Sequence, residues 1–176
     1  MTNQIRLLEE SFDKIKPNAM AFSDCFHRHL FQNHPEVEPM FSEISLELQE
    51  KKLVASLALI VENLHNPDAL THALQGLGAY HVGKGTLAKH YPYVGQALMQ
   101  AFSEFLGDDW TPDVADAWKA AYQTISNIML DGAGHPNDFL NGELTFYEWL
   151  DLYGESSPTL HKLVESTTHF KYGAKD

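Results

Sequence analysis

The chain has 176 residues, a length that suits one compact domain with a continuous buried core. Its 24 acidic and 12 basic residues give a formal net charge of -12, which repels polyanions and argues against nucleic-acid binding. Hydrophobic residues at 44% and charged residues at 20% match a water-soluble globular protein and exclude a disordered or lipid-embedded chain.

The amino-terminal stretch MTNQIRLLEESFD carries two adjacent glutamates where a secretion signal needs its apolar run, so a cytoplasmic location is expected. Ile5, Leu8, Phe12 and Ile15 mark a first helix that must stop before Pro17, and a second helix opened by that proline runs towards Asn33. Cys25, within it, is the single cysteine; it permits no disulfide and no CxxC chemistry, which leaves metal binding to histidines and carboxylates. His34 to Phe41 holds Pro35 and Pro39 and predicts a tight corner ending in a large aromatic.

Leu53, Leu57, Ile60 and Leu64 form one apolar stripe at helical spacing, and extending it back one turn adds Gln49. The most apolar run here, Leu53 to Val61, is interrupted by Ser56 and falls far short of the roughly 20 residues that cross a bilayer. After the turn signal Asn66-Pro67-Asp68, a stripe of Leu70, Leu74, Leu77 and His81 predicts a helix terminated by Gly83 and Gly85, with His81 facing inwards. Val94, Ala97, Leu98, Ala101, Phe102 and Phe105 predict a helix from Pro92 to Gly107. Thr111-Pro112-Asp113 opens another, with the stripe Val114, Trp118, Tyr122, Ile125 and Met129, which the glycines from Gly132 onwards are expected to end. No segment alternates as a strand does, so the fold is read as all-α. The remaining tail is rich in aromatics, and two short docked helices, about 143–153 and 159–169, are expected there.

Among the motifs that carry chemistry, the chain has no HExxH, calcium loop, GxSxG, Walker or GxGxxG sequence. There remains an inward histidine, His81, facing a helix whose apolar stripe is interrupted only by Gln49. That asymmetry suits a planar apolar cofactor, since an imidazole ligates haem iron on one face and the other needs at most one hydrogen-bond donor.

Several separated segments resemble the globin family, in particular the single-domain bacterial haemoglobins and the globin domain of flavohaemoglobins. HLFQNHPEVEPMFS is similar to the end of the family's second helix, its proline-led corner and the phenylalanine that packs on haem, here Phe41. QEKKLVASLALIVENL resembles the distal helix, with Gln49 at the distal position and Leu53 one turn later. LTHALQGLGAYHVGKGTLAKHYPYVGQAL resembles the proximal helix and the start of the next one, with His81 as proximal ligand, Tyr91 ten residues on and Val94 near the ring. AWKAAY, from Ala117 to Tyr122, is similar to the last globin helix.

The resemblance implies a three-over-three helical globin domain over residues 1–133, followed by a helical extension over 134–176. It implies haem b as cofactor, held by His81 as iron ligand and by Phe41, Lys52, Leu53, Leu77, Tyr91 and Val94 around the ring, with Lys52 paired to a propionate. The distal pocket is then His27, Gln49 and Leu53, where Gln49 donates a hydrogen bond to a diatomic gas. The carbonyl of Leu77 is expected to hold the outer nitrogen of His81. Three departures stand out: a short connection from Phe41 to Gln49, His27 where flavohaemoglobins carry a tyrosine, and Ala133 where they carry a glutamate. His27 is either a distal group or a helix-surface residue, with Phe26 the better core candidate on pattern. The expected activity is reversible binding of oxygen, NO and CO by a monomer or homodimer. The alternatives are an NO dioxygenase served by a separate reductase, since the stretch after residue 132 is too short for a reductase domain, a haem-based gas sensor, and a globin fold without haem.

Overall fold

The computed structural model describes residues 2–42 and 45–135; the expected tail helices, and the extension beyond residue 135, lie outside the described residues. Within them are six α-helices and no strand: α1 (Thr2–Ile15), α2 (Ala19–Asn33), α3 (Leu46–Glu62), α4 (Pro67–Gly83), α5 (His90–Leu106) and α6 (Pro112–Gly134). The all-α reading holds. No described helix is long and apolar enough to cross a membrane.

The helices pack as the expected three-over-three sandwich, α1, α3 and α4 against α2, α5 and α6. Phe22 of α2 meets Phe102 of α5 at 4.9 Å between ring centroids, and Phe102 stacks in turn on Trp118 of α6. Trp118 also donates its indole N–H to the Ser11 hydroxyl of α1 at 2.9 Å, so the buried polar edges of the core satisfy each other. A second apolar cluster, including Leu59, Ile60, Leu74, Leu77, Tyr91 and Met129, lies under α4.

Three element boundaries differ from the sequence reading. Pro17 sits in a separate 3₁₀ turn, Lys16–Asn18, and α2 begins after it. α5 begins at His90, so Pro92 occupies its first turn, where a missing N–H costs nothing. α6 runs on to Gly134, because Gly132 is a packing residue and not a stop: a Cβ there would collide with the Gln75 backbone of α4. Gly78 of α4 has the reciprocal relation to the Met129 backbone of α6.

α3 also buries more than one stripe. Val54, Leu57, Ala58, Leu59, Ile60 and Val61 are all buried, since α1 and α2 cover one side and the cluster under α4 the other.

Candidate functional site

α4 takes Pro67 at its first turn and Asp68 beside the positive end of the helix dipole, then buries Ala73, Leu74 and Leu77. His81 follows Leu77 by one turn, and its Nδ1 lies 2.8 Å from the Leu77 carbonyl oxygen. That contact fixes the neutral tautomer, with the proton on Nδ1 and a lone pair on Nε2. Burial, only partly opposed by this hydrogen bond, holds the imidazole below its ordinary 6.5, which favours the neutral, coordinating form.

Past His81 the chain reverses through Gly85, whose φ of 85° is the left-handed conformation glycine tolerates. The amides of Lys84 and Thr86 each donate to the His81 carbonyl at 3.0 Å, which brings both residues back beside the histidine.

Between this turn and the start of α3 lies a cavity of about 460 Å³, within the range of small-molecule and cofactor sites. His81, Tyr80, Lys84 and Thr86 line it from the α4 side, Gln49 and Lys52 from α3, and Phe41 from the corner. Gln49 and Lys52 share a helix face at i, i+3. The Ser23 hydroxyl of α2 donates to the Glu50 carbonyl at 3.0 Å and pins the first turns of α3. Burial, with the charge of Lys84 adding to it, lowers the Lys52 ammonium pKa. The cavity therefore offers two cations, an imidazole lone pair and an amide within a chain of strongly negative net charge.

Of the residues singled out in the sequence, the structure brings Phe41, Gln49, Lys52 and His81 to this cavity; Leu53, Leu77, Tyr91, Val94 and His27 do not form its lining. Leu53 and Val94 pack with Phe41 against the main core, and Leu77 and Tyr91 belong to the cluster under α4.

His27 is buried at 3% exposure, so its reading as a surface residue does not hold. Its ring meets Phe31 and Phe41, each at 5.8 Å between centroids, which puts it behind the cavity's aromatic wall. Nδ1 lies 2.8 Å from the Ser23 carbonyl oxygen, and burial lowers its pKa. The neutral ring therefore spends its proton on Ser23 and keeps an acceptor at Nε2.

The Tyr91 hydroxyl is buried with no hydrogen-bond partner among the described residues, and burial raises its pKa. Tyr80, Lys84 and Thr86 line the cavity although the sequence reading does not single them out. For Lys84 and Thr86 the signal is the glycine pair after His81, which forces the chain back over the histidine; Tyr80 is simply the helix neighbour of His81.

These donors fit haem. A neutral imidazole offers iron a lone pair, an aromatic wall packs on a planar ring, and cations at the cavity suit its carboxylates.

The globin family model matches residues 24–129, and the chain belongs to the globin family, a haem-binding family. It is 28% identical over 132 residues to a flavohemoprotein of Rhodopirellula baltica, covering 74% of this chain and 32% of that protein. To a flavohemoprotein of Rhizobium meliloti it is 30% identical over 111 residues, covering 62% of this chain and 28% of the other. It thus spans about a third of the length of the curated relatives it matches.

Among solved structures, a bacterial globin from Campylobacter jejuni superposes with a TM-score of 0.68 at 26% identity, covering 78% of this chain and 99% of that one. An engineered carbene transferase from Rhodothermus marinus, described as a candidate nitric oxide dioxygenase, gives a TM-score of 0.70 at 27% identity, covering 81% and 99%.

Proposed function

We propose that the chain is a haem-b globin that binds diatomic gases reversibly in the cavity between α3 and α4. The observation that carries this reading is the placement of His81 and Gln49 on the two helical walls of one cavity, with the His81 proton already committed to Leu77. Haem, when bound, would supply an iron centre able to take a diatomic gas.

His81 offers Nε2 to the metal and is held in orientation by the Leu77 carbonyl. Phe41 would pack on the ring, with Leu53, Leu77, Tyr91 and Val94 in the apolar clusters behind it, and Lys52 and Lys84 would pair with the propionates. Gln49 is the hydrogen-bond donor of the gas pocket, because neutral His27 gives its proton to Ser23. An amide N–H in a water-poor site favours a ligand on which negative charge develops, and so favours oxygen over carbon monoxide.

Haem titration into the purified chain, followed by absorption spectra of the ferric, ferrous and carbon monoxide forms, tests this reading. One haem per chain with a histidine-ligated ferrous spectrum is expected; failure to take up haem contradicts it.

A second reading, NO dioxygenase activity, draws on the likeness to flavohemoproteins and to the Rhodothermus marinus protein. It requires electrons from a reductase. Sustained NO consumption that appears only when a reductase is supplied separates this reading from simple gas binding.

A further inference from the structure

A second group of ligand-type side chains lies away from the cavity, on the seam between α2 and α5. Cys25 and His29 sit one helical turn apart on α2, Glu104 faces them from α5, and the ligand atoms of all three lie within 4.8 Å of one another. His29 Nε2 is 3.0 Å from one Glu104 carboxylate oxygen. Arg28 donates to the other at 3.0 Å and lies 3.3 Å from the Cys25 sulfur.

We propose that Cys25, His29 and Glu104 form a surface site for a zinc ion, with water in the fourth position and Arg28 occupying the cation's place when no metal is bound. The donor set selects the metal: one thiolate, one imidazole and one carboxylate suit zinc, whereas calcium and magnesium demand oxygen ligands.

The spacing is close to that of a zinc site. Bonds of about 2.3 Å to sulfur and about 2.0–2.2 Å to nitrogen or oxygen set tetrahedral ligand atoms roughly 3.3–3.6 Å apart. Closing from separations of at most 4.8 Å therefore takes no more than about 1.2–1.5 Å of movement. Two ligands are set by one turn of α2 and the third by the α2–α5 packing that Phe22 and Phe102 lock.

Access is graded across the site. The thiol is buried, the His29 side chain is 20% exposed and Glu104 49%, so an ion arriving from solvent meets the carboxylate and imidazole before the sulfur. Arg28, 43% exposed, can swing outward as zinc enters. The charged groups facing the sulfur are Asp24 and Arg28 from α2 and Glu104 from α5. Cys25 is a free cysteine, and an ordinary thiol carries its S–H at neutral pH. Zinc binding breaks that S–H bond, forms a zinc–sulfur bond and releases the proton to solvent, while His29 gives up its Nε2–H contact to Glu104 and coordinates as a neutral imidazole with its one proton on the other ring nitrogen. None of these residues lines the α3–α4 cavity, so the site stands whether or not the chain takes haem.

Calorimetric titration of zinc into the purified 176-residue chain, with zinc K-edge X-ray absorption on the one-to-one mixture, tests the site. The expected result is one equivalent bound with a single sulfur neighbour. Cys25→Ser and Glu104→Gln should each weaken binding at least about tenfold, and Arg28→Gln should tighten it by removing the competing cation. If the buried Cys25→Ser variant does not fold, the exposed Glu104→Gln change and the wild-type absorption spectrum still decide. A shell without sulfur, undiminished affinity in Glu104→Gln, or weaker binding in Arg28→Gln overturns the proposal.

Discussion

In the proposed gas pocket Gln49 is the polar side chain at the cavity, whereas His27 lies outside its lining. His27 is tied to Ser23, while Ser23 also fixes α3 through the Glu50 carbonyl next to Gln49. On the proposed reading, replacing Gln49 with leucine removes the pocket's hydrogen-bond donor. Oxygen dissociation from the haem-loaded chain should then quicken about ten- to hundredfold, the kinetic value of a lost hydrogen bond to a charged group of about 1.5–3 kcal/mol. Carbon monoxide dissociation should change much less; stopped-flow rates check both, and equal rates in wild type and variant would place Gln49 outside the pocket.

His27 makes a different prediction, about acid stability. Burial lowers its folded pKa below 6.5, so between that lowered value and 6.5 the unfolded chain binds more protons than the folded one. Stability therefore rises with pH across this window and falls as acid is added. Urea midpoints for His27→Phe should show a flatter pH dependence below about 6.5 than wild type; parallel profiles would remove His27 as the acid-sensitive group. Tyr91→Phe removes a buried hydroxyl that has no partner among the described residues, and should leave the haem-free chain as stable as wild type or stabilise it by about 1 kcal/mol. A loss of more than that in the denaturant midpoint would reveal a partner for the hydroxyl.

At the scale of elements, α4 matters most because its last turn carries His81. α4 meets α6 at backbone distance through Gly78 and Gly132, and a methyl group at Gly78 would strike the Met129 carbonyl of α6. Gly78→Ala should cost about 1–3 kcal/mol or more in urea unfolding and, by lifting the helix three residues before His81, weaken haem retention. An unchanged midpoint would show that the two helices can separate freely.

This packing also marks where sequence reading stops. His81 and Leu77 are legible because a four-residue repeat on one helix states both the inward face and the carbonyl one turn back. The Thr111 cap is legible for the same local reason, and its hydroxyl accepts from the Val114 amide. Gly132 reads as a terminator because glycine's local preference says nothing of a helix passing over it. Cys25, His29 and Glu104 come together only through the packing of α2 on α5, across 75 residues between His29 and Glu104. His27 is ambiguous in sequence because α2 meets α5, α3 and the corner on different faces, so neighbouring Phe26 and His27 are both buried and no single stripe describes the helix.

The described residues form a globin sandwich in which α3 and α4 line a cavity that carries two cations in a chain of net charge -12. Every role proposed for the cavity depends on His81 holding the haem. The most direct test is haem stoichiometry and the ferrous absorption spectrum of His81→Ala beside wild type, with far-ultraviolet circular dichroism as the check on folding. Stable haem binding should be lost while most helical content remains, because the apolar clusters around α1, α2, α5 and α6 do not depend on the imidazole. Full haem occupancy with an unchanged ferrous spectrum would contradict the assignment and move the search to His72 or His90.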